Sequence, residues 1–196
     1  MHIMPELITK QLRIRPFLPQ DLDTIHKLFQ DIRWHDPQLS ETQNYRERNQ
    51  WLQWSIMNYV QLAKLRQPPF GDRAVVLQET DQIIGMCGIV PYVGPFGQLP
   101  YFGSRENAPY TAEVGLMWAI SPTHQGRGYA TEAALALVAY AFNELRLHHI
   151  IATTEYDNLA SQAVMQRLGM LVQYNPYLEP PWLQVVGVLE NELFGE

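Results

Sequence analysis

Between an alternating apolar run and an alanine-rich segment lies Ser121-Pro122-Thr123-His124-Gln125-Gly126-Arg127-Gly128-Tyr129-Ala130-Thr131-Glu132, whose residue types suit the binding of an anion. Gly126 and Gly128 let the backbone come close to a ligand and adopt turns closed to other residues. The first N–H groups of a helix starting here have no intrahelical acceptor. With the helix dipole they cradle a phosphate or diphosphate without a metal. Two familiar phosphate motifs fit poorly. A nucleotide P-loop requires Gly-Lys-Ser/Thr, and Gly128-Tyr129-Ala130 stands at those positions instead. A dinucleotide fingerprint belongs near the first strand of a doubly wound fold, and here only its first two glycines are met, late in the chain.

A third reading is more specific. Gln125-Gly126-Arg127-Gly128-Tyr129-Ala130 matches, position for position, the Q/R-x-x-G-x-G/A motif and so resembles the GNAT acetyltransferases. Downstream, Asn158-Leu159-Ala160-Ser161 and the ending Leu168-Gly169-Met170 resemble the N-x-x-S helix of that family, which closes on Leu-Gly-Phe. The resemblance spans residues 7–192, is strongest from Glu113 to Met170, and is most similar to the branch that acetylates ribosomal-protein N-termini and related amines.

This resemblance implies an α+β fold of the acyl-CoA N-acyltransferase type. Its mixed sheet has about six to seven strands, flanked by about four helices. It also implies acetyl-CoA as cosubstrate and a primary amine as acceptor. The amides of Gln125, Gly126, Arg127, Gly128, Tyr129 and Ala130 would bind the diphosphate, with the Thr131 hydroxyl as a further donor. In the family the fourth and fifth strands are parallel and splay apart to admit the pantetheine arm; here they are 111–121 and 150–154. The arm would pair with backbone at Met117, Trp118, Ala119 and Ile120. An N–H at Leu116 or Met117 would polarise the thioester carbonyl, and Gly115 would permit a bulge. Asn158 and Ser161 complete the cofactor-binding set.

Direct attack requires a neutral amine, so a base must remove a proton. Glu113 is the candidate, its alternative being a structural carboxylate paired with an arginine; Glu155 is the reserve. Ser161 is the candidate donor to the departing thiolate, or else a hydrogen-bond partner of the cofactor. Asn158 is grouped with these catalytic candidates, although capping its helix alone would explain it. Another branch carries a glutamate where Thr153 stands and a tyrosine where Met165 stands, so its acid–base pair does not carry over to this chain.

The elements that would position these residues follow from periodicity. Residues 7–16 read as one half-exposed strand, with Leu12 and Ile14 alternating with Arg13 and Arg15. Leu22, Ile25, Leu28, Phe29 and Ile32 predict a short helix after Asp21, and a longer one runs from Ser40 to Leu65. Residues 73–80 and 82–92 predict an antiparallel hairpin. Pro91 to Tyr110 lacks periodicity and reads as a long loop, either a substrate lid or a segment held down by its aromatics. Thr111 to Ser121 is a strand, Tyr129 to Leu145 a helix with six alanines, and Ile150 to Thr154 a strand parallel to the former. A helix covers Asn158 to Leu168 with Gly169 as its stop, and Trp182 to Phe194 is the candidate terminal strand.

Composition bounds the class. The 196 residues make one globular domain covering 1–196 the expectation, and a net charge of −6 without a basic stripe argues against nucleic acid. Cys87 is alone, which forbids an intrachain disulfide and suits a reducing cytoplasm. It reads as a core residue rather than a nucleophile. No apolar run approaches the ~20 residues of a membrane span, and the first residues lack a secretory signal. His148 and His149, adjacent and without a spaced third ligand, read as surface or turn residues, so no metal is expected. The serines lack the G-x-S-x-G elbow of a hydrolase. A coenzyme A-binding regulatory domain without turnover is the alternative function, and a nucleotide-binding protein a third. The aromatic-rich segments 40–65, 91–110 and 174–182 are the candidate acceptor entrance, with Glu106, Glu179 or Asp36 to attract a cation. A monomer or homodimer is the expected assembly.

Overall fold

Leu12 and Ile14 have no exposed surface, as an alternating strand facing a core requires. The computed structural model, which describes residues 4–192, nevertheless divides the expected first strand in two. Strands β1 (Leu7–Ile8) and β2 (Leu12–Arg15) pair antiparallel, Leu7 opposite Ile14. The turn forms because Thr9 N–H donates to the Leu12 carbonyl and Leu12 N–H donates back to Thr9 Oγ1, both at 2.9 Å.

Helices α1 (Leu22–Asp31) and α2 (Glu41–Lys64) follow. Ser40 caps α2 as its position suggests. Ser40 Oγ accepts from Gln43 N–H at 3.3 Å, and Gln43 Oε1 accepts from Ser40 N–H at 2.9 Å, a reciprocal box worth about 1 kcal/mol. Strands β3 (Gly71–Leu77) and β4 (Ile83–Gly94) form the predicted hairpin. Then come β5 (Thr111–Ile120), α3 (Tyr129–Asn143), β6 (His149–Thr154), α4 (Leu159–Arg167), β7 (Leu171–Tyr174) and β8 (Val185–Glu190). The strands form one sheet in the order β1-β2-β3-β4-β5-β6-β8-β7, antiparallel in every described pairing except that of β5 with β6.

The described chain groups into two units, residues 4–89 with 117–136 and residues 90–116 with 137–192. In the first, Phe17, Ile25, Leu28, Phe29, Leu52, Ala74, Val76 and Met86 form a core against which Met117 and Ala119 pack. Each large side chain so buried contributes roughly 1.5–3 kcal/mol. Gly85 is required there, since a Cβ would lie 2.3 Å from the Ala119 carbonyl oxygen. In the second unit, Phe96, Leu99, Ile151, Leu183, Val186 and Val188 make the core. The parallel pairing of β5 and β6 is described at Gly115 opposite Ile151, whereas β6 pairs with β8 along its whole length.

Three further expectations about elements change. The segment 91–110 is not a structureless loop: β4 continues through Gly94, and 3-10 turns follow at Phe96–Gln98 and Pro100–Phe102. Phe96 and Leu99 are completely buried, so apolar anchoring outweighs the high Gly and Pro content. Strand β7 is new, too short at four residues for its pattern to stand out. The terminal strand occupies Val185–Glu190; positions 193 and 194 of the expected stretch lie outside the described residues. The mixed α/β architecture, with four helices among the described residues, is as expected, and the sheet has eight strands among them because two very short ones, β1 and β7, join it. Among the described residues no helix is long and apolar enough to cross a membrane.

Candidate functional site

The loop between β5 and α3 is built from its glycines outward. Ser121 N–H donates to the Ile84 carbonyl at 2.8 Å, which ends β5 on β4. Pro122–His124 then forms a 3-10 turn. Gln125 folds back, its Nε2 donating to the Ile120 carbonyl at 2.8 Å, which braces the loop across its mouth. Gly126 (φ 74°) and Gly128 (φ 82°) are both left-handed, a conformation that costs an L-residue roughly 1–2 kcal/mol. A Cβ on either would meet nothing within 4 Å, so backbone conformation rather than crowding demands glycine.

The consequence is a run of unused donors. Within the described residues the amides from Gly126 to Thr131 have no acceptor, and the ladder of α3 begins only with Glu132 N–H to the Gly128 carbonyl at 3.0 Å. Alternating left-handed glycines at a helix N-terminus turn successive N–H groups toward one concavity, the geometry that holds a phosphate. Among the described residues Thr131 Oγ1 is buried without a partner, so this hydroxyl is uncommitted. The residues present thus fit a diphosphate.

Glu132, which sequence reasoning passed over, anchors this end of α3. Its Oε1 accepts from Thr9 Oγ1 at 2.6 Å and from Gln11 N–H at 2.7 Å, and its Oε2 accepts from Gln11 Nε2 at 2.7 Å. Burial pushes this carboxyl up, but those hydrogen bonds outweigh it and hold Glu132 below its ordinary value. No local signal could have found it, because its partners lie 121–123 positions away.

Of the strand candidates, Met117, Trp118 and Ala119 are partly exposed and Ile120 is buried. Gly115 has a packing reason: a Cβ there would lie 2.5 Å from the Tyr92 ring. At α4, Asn158 Oδ1 accepts from Ser161 N–H at 3.1 Å, so the side chain is a true N-cap. The Ser161 hydroxyl makes no hydrogen bond within the described residues. Met165 is fully buried, and Glu155 is exposed.

Glu113 does not pair with an arginine. Its Oε2 lies 2.7 Å from His149 Nε2, and its Oε1 accepts from Thr111 Oγ1 at 3.1 Å. His149 is accordingly not the surface or turn residue expected: it begins β6, with its ring against Tyr101 and Phe102. Tyr101 donates its hydroxyl to Glu190 Oε1 at 2.6 Å. Burial, then Glu190 and Glu113, push Tyr101 up to about 12, so it stays a phenol. Cys87 is buried, which raises its thiol to about 12 and leaves it inert, as a core residue should be. Among the described residues no group of His, Cys, Asp and Glu is arranged to hold a metal.

The segment after β4 is tied down by a buried amide network. Gln98 Nε2 donates to the carbonyls of Glu106 (3.1 Å) and Glu179 (2.9 Å), while Asn175 Nδ2 donates to Gln98 Oε1 and to the Leu183 carbonyl, both at 2.8 Å. Two of the three aromatic-rich segments singled out in the sequence, 91–110 and 174–182, are therefore interlocked.

Comparison with known proteins agrees with these features. The family model described as an acetyltransferase (GNAT) domain matches residues 11–171. An uncharacterized N-acetyltransferase of Bacillus subtilis (strain 168), YnaD, is 33% identical over 174 residues, which take in 87% of this chain and 82% of that protein. Among solved structures, an acetyltransferase from Agrobacterium tumefaciens superposes with a TM-score of 0.67 at 24% identity, covering 97% of this chain and 96% of the other. The ribosomal-protein-S5-alanine acetyltransferase of Vibrio fischeri gives 0.66 at 17% identity over 98% and 100%. At these identities the two structures speak for the fold alone, whereas the family model and the Bacillus relative speak for the activity. The chain belongs to the GNAT acetyltransferase family and is an acetyl-CoA-dependent N-acetyltransferase, passing an acetyl group to an amine.

Proposed function

We propose that acetyl transfer occurs by direct attack of a primary amine, from a protein N-terminus or a small molecule, with both substrates bound at once. The observation that carries this reading is the uninterrupted set of free amides from Gly126 to Thr131 behind two left-handed glycines. Those amides grip the diphosphate, with Gln125 bracing the loop and the Thr131 hydroxyl turning toward it. The backbone of Met117, Trp118, Ala119 and Ile120 pairs with the pantetheine amides, and an N–H at Leu116 or Met117 stabilises negative charge on the carbonyl oxygen. When bound, acetyl-CoA supplies an acyl group activated by its thioester.

Glu113 takes the proton that the incoming ammonium must lose. Support comes from its place on β5, four residues before Met117, and from a side chain only 10% exposed and held by two partners. Ser161, its hydroxyl uncommitted, would relay to the departing thiolate, as the C–S bond breaks, the second proton that the attacking nitrogen loses on becoming an amide. Asn158 orients Ser161 through the cap.

The test has two stages. Calorimetry on the folded chain should detect acetyl-CoA binding, weakened in Gly128→Ala. Release of free thiol from acetyl-CoA is then followed with peptides bearing N-terminal alanine or serine, with free amino acids and with spermidine. Turnover of one class identifies the acceptor. Failure to bind acetyl-CoA at millimolar concentration would sink the reading, and binding without turnover of any amine would favour a regulatory domain.

A further inference from the structure

His149 has no part in the reading above, yet it is the group most closely engaged with Glu113. Its Nε2 is 2.7 Å from Glu113 Oε2, and the two side chains are only 24% and 10% exposed. Thr111 Oγ1 donates to the other carboxylate oxygen at 3.1 Å. The rings of Tyr101 and Phe102 stand edge-on to the imidazole, with centroids 6.0 and 5.9 Å away. On the far side, Glu190 of β8 faces His149 in the strand register and accepts the Tyr101 hydroxyl. The titratable groups around the imidazole are thus Glu113 from β5, Tyr101 from the 3-10 turn, Glu190 from β8, and the neighbouring His148, whose ring centroid is 5.9 Å away.

We propose that His149 is a positioning residue that fixes the orientation of the Glu113 carboxylate. The inference rests on Glu113 being the base. A neutral imidazole with its proton on Nε2 donates to Oε2, and Thr111 donates to Oε1, so the carboxylate has one orientation and keeps a lone pair of Oε1 for the ammonium proton. In the step, an N–H bond of the ammonium breaks and an O–H bond forms on Glu113. The freed nitrogen pair forms the new bond to the carbonyl carbon, the C–S bond breaks and the thiolate departs, and His149 is unchanged.

The test compares Glu113→Gln, His149→Gln and His149→Phe, using the amine from the panel above that turns over fastest. Glutamine at 149 retains an N–H donor and does not titrate; phenylalanine removes the donor but fills the aromatic site. His149→Phe should lower kcat about tenfold, less than the roughly 100-fold or greater loss for Glu113→Gln, with KM for acetyl-CoA unchanged in both. His149→Gln, which keeps an N–H donor toward Glu113, should keep kcat within about threefold. An equal loss of kcat in the two His149 variants, or no loss in His149→Phe, alongside an inactive Glu113→Gln, overturns the role of His149 and leaves the base in place. An active Glu113→Gln overturns the base, and the inference with it. Matching thermal midpoints confirm that the variants compared are folded.

Discussion

A single backbone angle carries much of the cofactor argument. Gly128 has φ of 82° with open space where a side chain would go, so Gly128→Ala creates strain without a clash. Two outcomes are available to the chain: keep the loop at a cost of about 1–2 kcal/mol, or let residue 128 relax and turn its neighbouring amides away. Either weakens the grip on the diphosphate. Acetyl-CoA affinity should fall about tenfold, which is ~1.4 kcal/mol, while kcat at saturating cofactor changes little; calorimetry and steady-state kinetics together check this. Asp72 offers a residue-scale test of a different kind. Burial pushes it up to about 6. The folded chain therefore holds a proton that the unfolded chain has released, from the ordinary aspartate value near ~3.9 up to about 6. Stability contributed by this group is full below that window and is lost as pH rises through it. Asp72→Asn should raise stability at pH 7 by about 1–3 kcal/mol and remove this fall, read as the difference between variant and parent in urea midpoints at pH 4 and pH 7.

At the scale of elements, what was legible in the sequence was what is local. Gln125, Gly126 and Gly128 announce a loop because the turn is made by residues next to one another. Ser40 and Asn158 announce helix starts because a cap reaches only three residues along the chain. The Glu132 clamp and the Glu113–His149 pair were illegible, since only the packing of α3 on the β1–β2 turn and the order of the strands bring together residues 121–123 and 36 positions apart. Pro91–Gly94 misled because proline usually ends a strand, yet here the core around Phe96 and Leu99 holds the backbone extended. Glu132 gives the element-scale prediction. Its carboxyl is held low, so the stabilisation it gives through Thr9 and Gln11 is present above the ordinary glutamate value near ~4.3 and disappears as pH falls through its lower folded value. Glu132→Gln should lower the thermal midpoint at pH 7, with the gap to the parent closing in acid. A gap independent of pH would assign the effect to lost packing rather than to charge.

For the whole molecule, the composition and the two motifs pointed to a globular acetyltransferase of mixed α/β architecture, but eight strands could not be counted in advance. Strands β1 and β7 are two and four residues long, too short for periodicity to register. Their stability comes from neighbours in the sheet, and a ligand adds to that of the folded chain as a whole. A cofactor that binds the native state and not the unfolded chain stabilises it by RT ln(1 + [L]/Kd), about 2.7 kcal/mol at one hundred times Kd. Acetyl-CoA at that excess should therefore raise the denaturant midpoint by the corresponding amount. Gly128→Ala, measured at the same concentration, should show a shift smaller by the logarithm of its lost affinity, because the loop enters the linkage only through Kd. ATP at the same concentration shares a diphosphate and an adenine but lacks the pantetheine arm that Met117 to Ile120 would pair with. Equal protection by ATP would mean that these strand amides contribute nothing and that the loop alone does the binding, as a nucleotide-binding protein requires.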